Sequence, residues 1–140
     1  MADDVFCMII NGEIPSTKVY EDDAVLAILD ISQATRGHTL VMPKAHYSNI
    51  LHCPPELVHR VYDVAQKIGQ AAIVSMGATG VNILTNAGES AGQTVPHFHV
   101  HVLPRYDHEN NGFEITMKDN KPDTLALPAI AEELRKNLKF

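Results

Sequence analysis

The chain has little of what marks secreted, membrane-spanning or nucleic-acid-binding proteins. Two cysteines, Cys7 and Cys53, occur among its 140 residues, too few for a disulfide scaffold. No apolar run approaches the roughly 20 residues that span a bilayer, and the acidic N-terminus lacks a signal-peptide pattern. The formal net charge of −6 disfavours nucleic acid and anionic membranes as partners. We therefore expect a cytoplasmic protein with no nucleic-acid or membrane partner.

The rest of the composition is typical of one globular domain, with 45% apolar and 20% charged residues. Apolar spacing and turn residues predict eight elements in this order: a helix over 5–10, strands over 17–20, 24–29 and 38–42, a long helix between 54 and 77, strands over 81–84 and 97–103, and a helix over 128–138. The segment 105–123 is polar and loop-like. This order indicates an α+β fold with an antiparallel five-stranded sheet.

The most informative stretch is the run HFHVHVL, in which His97, His99 and His101 alternate with apolar residues. In a β-strand the three imidazoles share one face, and the apolar residues pack against a core on the other. Imidazole is a nucleophile, a general acid or base, or a metal ligand near neutral pH. A catalytic array, a zinc site and a solvated strand edge are the alternatives. No nearby acid supplies the general base of a zinc hydrolase, which disfavours the zinc site.

A loop of small residues, Asn86 to Thr94, leads into the histidine run. Small residues let backbone N–H groups approach an anion, and Gln93 and Thr94 add side-chain donors. The loop is not a P-loop, because no Gly-Lys-Ser/Thr ending and no helix follow. Alone it is an ordinary turn, but beside three aligned histidines it is a candidate phosphate site.

The run resembles the signature of the histidine triad (HIT) superfamily, H-φ-H-φ-H-φ-φ with φ apolar. Four other segments resemble the family in order and spacing: FCMIINGEIPSTKVY, LDISQ, GHTLVMPKAH and AGQTV. The resemblance implies a HIT domain over 1–106, in a homodimer whose sheets join across the interface. We expect 107–140 to be a C-terminal extension whose helix packs on the domain or on the dimer partner.

The resemblance also implies nucleotidyl chemistry. His99 would attack an α-phosphorus and form a covalent nucleotidyl-histidine, which water then cleaves to a nucleoside monophosphate. His101 would contact the phosphate oxygens or the leaving group. His97 and His38 would help orient the imidazoles.

A nucleotide pocket follows from the same resemblance. Asp30 would hold the ribose hydroxyls, although by itself it is a plain turn residue after a strand. The purine slot would be formed by residues that otherwise look like simple core: Phe6, Ile9, Ile28 and Ile31. Loop positions that face the sugar and phosphate would be Asn86, Gly92, Gln93 and Thr94, the last two bonding the phosphate or helping to protonate the leaving group.

Two substrate classes fit these residues. One is purine nucleoside 5′-phosphoramidates and related AMP conjugates, cleaved to release AMP. The other is dinucleoside polyphosphates. The LDISQ context favours the first class and the AGQTV segment the second, and we expect the first. A non-catalytic nucleotide sensor is the alternative from a different functional class.

Some bacterial relatives bind a structural zinc through an N-terminal Cys-x-x-Cys and two histidines. The corresponding positions here are Asp4 and Cys7, with His46 and His97 as possible partners. A carboxylate replaces the first thiolate, which weakens such a site. We therefore expect Cys7 to be a packed thiol, and no cofactor to be required.

Overall fold

The computed structural model describes residues 4–107, 112–118 and 126–140. Its elements in chain order are α1 (Val5–Ile10), β1 (Lys18–Glu21), β2 (Val25–Leu29), β3 (Thr39–Pro43), α2 (Pro55–Met76), β4 (Gly80–Leu84), β5 (Val100–Arg105) and α3 (Leu127–Lys136), with 3-10 turns at Ile50–His52 and Glu89–Ala91. The strands form one antiparallel sheet in the order β1-β2-β3-β5-β4. The predicted α+β class and five-stranded antiparallel sheet are confirmed.

The start of β5 differs from the prediction. The strand begins at Val100, so His97 and His99 lie in the irregular segment before it. Pro96 has no N–H to give to a ladder, and the Phe98 N–H donates to the Tyr47 carbonyl rather than to a strand. The alternation of faces nevertheless holds, because Phe98 and Val100 are buried in the core under α2.

The two faces of the sheet are covered differently. On one face α2 packs Val61 and Ala65 against alternate residues of β2, β3 and β5. On the other face, Phe6 of the short helix α1 packs on a second cluster that includes Leu26 and Leu40. Because α1 is only six residues long, it leaves the remainder of this second face open, beside the histidine segment.

The C-terminal part of the chain is less enclosed. The α3 helix ends near the predicted position, and its apolar stripe, Ile130, Leu134 and Leu138, is exposed. Much of the predicted polar segment lies outside the described residues. The boundary at 106 and the packing of α3 stay predictions. None of the described helices has the length and apolarity to cross a membrane.

Candidate active site

A cleft of about 310 Å³ lies between α1 and the open face of the sheet. Its lining is largely apolar, with few polar side chains, as in most small-molecule sites. Eight of the predicted site residues line it: Phe6, Ile9, Ile28, Asp30, Ile31, Thr94, His99 and His101. The chain therefore brings the predicted base slot, the predicted ribose ligand and two of the predicted catalytic histidines into one cavity.

His99 is held by its neighbours in one orientation. Its Nδ1 lies 2.7 Å from the carbonyl oxygen of His97, and since that oxygen only accepts, Nδ1 carries the hydrogen. The hydroxyl of Thr85 donates to the His99 carbonyl at 2.6 Å, and the Phe6 ring packs edge-on at 4.9 Å. A neutral His99 therefore has its lone pair on Nε2.

His101 is set in the opposite tautomer by a chain of hydrogen bonds. The Ala34 N–H donates to His38 Nδ1 at 3.3 Å, so the hydrogen of His38 is on Nε2. This Nε2–H donates to His101 Nδ1 at 3.0 Å, which leaves the hydrogen of His101 on its Nε2. His101 is thus a hydrogen-bond donor beside His99, with the two ring centroids 5.0 Å apart.

Burial favours the neutral form of the histidines of the cleft. Burial, and then the neighbouring His99 and His38, lower the pKa of His101 to about 4. Burial also lowers the pKa of His38 and of His99 below the usual range. A neutral imidazole is the form in which histidine acts as a nucleophile.

Asp30 is a turn residue whose carboxylate also faces the cleft, and its contact with a ribose stays a prediction. Its Oδ1 accepts the Ser32 N–H at 2.8 Å, as a turn residue does. Its Oδ2 lies 3.7 Å from His38 Nε2 and lines the cleft. Ile31, the next residue, is 99% exposed at the mouth of the cleft.

The loop before the histidines is held in place by the side chain of Gln93. Its amide nitrogen donates to the carbonyls of Ser48 and Val95, and its oxygen accepts the Gly88 N–H. Gly92 adopts a positive φ of 96° beside Asn86, and a Cβ there would lie 3.7 Å from the Asn86 amide. Phosphate contacts by Gln93, Asn86 and Gly92 stay predictions. For Gln93, such a contact requires the exchange of one of these bonds.

Comparison with known proteins identifies the family. The model of the HIT domain matches residues 11–108. The chain belongs to the HIT family. It is 47% identical over 125 residues to the protein named "Protein hit" from Bacillus subtilis, covering 86% of each chain. It also superposes on a solved structure of a HIT family member from Bacillus subtilis with a TM-score of 0.91, at 42% identity over 99% of each chain. The predicted HIT fold is confirmed.

Two other HIT relatives bear on the site. A protein of Arabidopsis thaliana named adenylylsulfatase HINT3 is 40% identical over 107 residues, which cover 76% of this chain and 54% of that protein. A Zn-bound histidine triad family protein from Mycobacterium smegmatis has a TM-score of 0.74, with 40% identity and coverage of 94% and 96%. The HIT family therefore includes hydrolases and includes a zinc-bound member.

The side chain of His97 belongs to a different group from that of His99. Its Nδ1 lies 3.6 Å from Cys7 Sγ, 3.3 Å from His46 Nδ1 and 3.3 Å from Asp4 Oδ2. Asp4 Oδ2 is also 3.0 Å from His46 Nδ1 and 3.4 Å from Cys7 Sγ, which is 3.6 Å from His46 Nδ1. The His97 Nε2–H donates to the Pro43 carbonyl at 2.9 Å, so the Nδ1 lone pair faces the other three atoms.

This group of four residues fits a zinc ion. A tetrahedral zinc with bonds of about 2.0 Å to N and O and about 2.3 Å to S places its ligand atoms about 3.3 Å apart, or about 3.5 Å where sulfur is one of them. The six observed separations, 3.0–3.6 Å, agree with this geometry. A thiolate and a carboxylate balance a divalent charge. The sequence alone favoured a packed Cys7 thiol without zinc, because Asp4 replaces the first thiolate of the pattern in the relatives. The separations show that the Asp4 carboxylate lies where a fourth zinc ligand would.

Some residues of the site were not found from the sequence. Thr85, which anchors the His99 backbone, follows β4 and is brought there by the pairing of β4 with β5. The lining also includes residues between α1 and β1 and on the strands that carried no chemical signal: Ile14, Pro15, Ser16, Leu29, Leu40 and Val95. For Ile14, Pro15 and Ser16, the one available signal was that they fall within segment 6–20, which resembles the family. His52 and His59 are exposed and lie outside the lining of the cleft.

Proposed function

We propose that this HIT protein is a nucleotide-binding hydrolase that cleaves purine nucleoside 5′-phosphoramidates or related AMP conjugates and releases AMP. The observation that carries the proposal is a pair of neutral imidazoles with opposite tautomers in one cleft. His99 has its lone pair on Nε2, and His101 has its hydrogen on Nε2. A nucleophile and a hydrogen-bond donor are thus ready side by side.

In the first step, His99 Nε2 attacks the α-phosphorus and a P–N bond forms. The bond from phosphorus to the leaving nitrogen breaks, and this nitrogen takes up a proton from solvent and departs as the amine. The imidazole becomes cationic, and its Nδ1–H bond to the His97 carbonyl strengthens as the charge develops. His101 Nε2–H donates to a phosphate oxygen or to the departing group. In the second step, water attacks phosphorus and the P–N bond breaks, which returns neutral His99 and releases AMP and a proton.

The remaining lining residues hold the nucleotide. Phe6, Ile9 and Ile28 form an apolar slot of the kind that takes a purine ring, with Ile31 at its mouth. The carboxylate of Asp30 accepts hydrogen bonds from the ribose hydroxyls. The name of the Arabidopsis relative, an adenylylsulfatase, is consistent with an adenylyl group as the part retained on the histidine.

A substrate panel tests the proposal. AMP release is measured from an adenosine 5′-phosphoramidate, a diadenosine polyphosphate and adenylyl sulfate, with chelator present and with His99→Ala as the comparison. We expect the fastest release from the phosphoramidate, unaffected by chelator and dependent on His99. Preference for the dinucleotide assigns the alternative substrate class. AMP binding without turnover of any substrate assigns a nucleotide sensor and contradicts the proposal.

We also propose that the protein is a homodimer. The edge strand β4 exposes Ile83, and α2 exposes Ile73 and Val74, which is 85% accessible. Apolar side chains along an unpaired strand edge are normally covered. Sedimentation is expected to give twice 15.4 kDa. Ile83→Glu is expected to shift the protein towards monomer, whereas Val19→Glu on the opposite edge strand β1 is not.

A further inference from the structure

We infer that metal binding at Asp4, Cys7, His46 and His97 is coupled to nucleotide binding in the cleft. The coupling runs through α1 and through the backbone of residue 97. The inference rests on the proposed function, since it takes the cleft to be the nucleotide site. Two elements serve both sites, and each gives an independent physical link.

The first link is helix α1. Asp4 caps this helix, and its Oδ1 accepts the Cys7 N–H at 2.8 Å. Within the same six residues, Phe6 and Ile9 line the cleft. A helix this short has no stability of its own, so its position is set by what its residues contact. An ion that joins Asp4 and Cys7 to two histidines therefore also fixes this wall of the cleft.

The second link is residue 97. Its ring is fully buried and offers Nδ1 to the metal group, while its carbonyl accepts the Nδ1–H of His99. The Phe6 ring touches both histidines, with centroid distances of 6.0 Å to His97 and 4.9 Å to His99. A shift of the His97 ring therefore moves the His97 carbonyl, which accepts the Nδ1–H of His99. It also moves the Phe6 ring that packs on it.

Loss of the ion leaves one unfavourable contact among the four side chains. The carboxylate of Asp4 then faces the lone pair of His97 Nδ1 at 3.3 Å, with no cation between two electron-rich atoms. Separation of α1 from His97 relieves this contact and moves Phe6 out of the cleft wall. Apolar packing of Phe6 against Leu26 and Ile28 opposes the separation. The expected result is a protein that stays folded but whose cleft binds the nucleotide more weakly.

The experiment compares the full chain loaded with zinc and stripped by chelator. We expect stripping to weaken AMP binding, measured by calorimetry, by about tenfold or more. By linkage, saturating AMP tightens zinc binding by the same factor, measured by competition with a chromophoric chelator. Amide hydrogen exchange over 5–10 is expected to be faster in the stripped protein, with no change in the middle of α2.

Two variants and a control locate the effect. Asp4→Asn keeps an oxygen acceptor for the α1 cap but loses the carboxylate, and Cys7→Ser loses the thiolate. In both variants we expect AMP affinity to be independent of added zinc. In Cys7→Ser, which keeps the Asp4 carboxylate facing His97 Nδ1, we expect it to equal that of the stripped protein. His59→Ala, which removes an exposed histidine on α2, is expected to behave like the wild type. If a variant does not fold, the loaded and stripped wild type still decide the question.

Two outcomes would contradict the coupling, and a third would contradict the proposed function. AMP affinities of loaded and stripped protein that agree within about twofold overturn the coupling and leave nucleotide binding intact. Failure of the wild type to bind zinc in the competition assay also overturns the inference. Absence of AMP binding in both forms contradicts the proposed function instead.

Discussion

The position of a single hydrogen on each ring determines what the histidines of this cleft can do. The sequence predicts which histidines matter, because HFHVHVL places them on one face. It does not predict their tautomers, which depend on acceptors and donors supplied by the backbone. The Ala34 N–H fixes the tautomer of His38, and the His97 carbonyl fixes that of His99. These backbone groups reach the rings only after the polar loop and the segment before β5 have folded.

The carboxylate of Asp30 is the group assigned to the ribose hydroxyls, and one substitution tests this contact. We predict that Asp30→Asn weakens AMP binding by about tenfold, because a charged acceptor makes stronger hydrogen bonds to the ribose hydroxyls than an amide does. The asparagine oxygen still accepts the Ser32 N–H, so the turn is preserved. Calorimetry with AMP and 2′-deoxy-AMP measures the effect. The loss is expected to be smaller for the deoxynucleotide, and an equal loss for both would contradict the assigned ribose contact.

At the scale of elements, strands and helices follow from apolar spacing, but contacts between distant segments do not. The sequence predicts α2 and its end, and Gly77 adopts the expected left-handed conformation with φ of 74°. The predicted start of β5 at residue 97 was wrong, because Pro96 has no N–H for the ladder. The Phe98 N–H donates instead to the carbonyl of Tyr47, about 50 positions earlier. The side chain of Gln93 likewise bonds Ser48, a partner 45 positions away.

Gly69 inside α2 and Gly77, which caps its C-terminus, are predicted to respond in opposite ways to alanine. Gly69 is a buried helix residue, and an added Cβ meets Val81 at 3.5 Å, an ordinary contact distance. Gly69→Ala is therefore expected to raise the free energy of unfolding by about 1 kcal/mol through helix propensity. Gly77→Ala is expected to lower it by about 1 kcal/mol, because its φ is positive. Urea unfolding measures both, and a destabilised Gly69→Ala would show that this helix–sheet contact is already fully packed.

For the whole molecule, the histidine run and four collinear segments were sufficient to predict the family and the fold. They did not predict what covers the outer surfaces. The stripe of α3 and the edge of β4 expose apolar side chains whose partners are not encoded in local patterns. The metal group was only partly visible, because Asp4 and Cys7 join His46 and His97 through the tertiary position of α1.

The buried histidines predict how stability depends on pH. Burial lowers the pKa of His101 from 6.5 to about 4 and also lowers that of His38. The unfolded chain therefore binds more protons between these values, so the free energy of unfolding falls as the pH drops from 6.5 towards 4. Denaturant unfolding at about pH 7.5 and about pH 5, with chelator present, measures this loss. We expect His101→Asn to reduce the loss and exposed His59→Asn to leave it unchanged. Stability that stays constant over this range would contradict the assignment of neutral buried imidazoles.

The central claim, nucleophilic attack by His99 Nε2, is tested most directly by the mass of the intact protein quenched in denaturant during turnover of an adenosine 5′-phosphoramidate. The account predicts an adenylyl adduct that maps to His99 and that is absent from His99→Ala. That variant is expected to lose at least about 1,000-fold in kcat/KM while AMP binding is retained, and His59→Ala is expected to form the adduct normally. Undiminished AMP release by His99→Ala, or an adduct on another residue, would contradict the account.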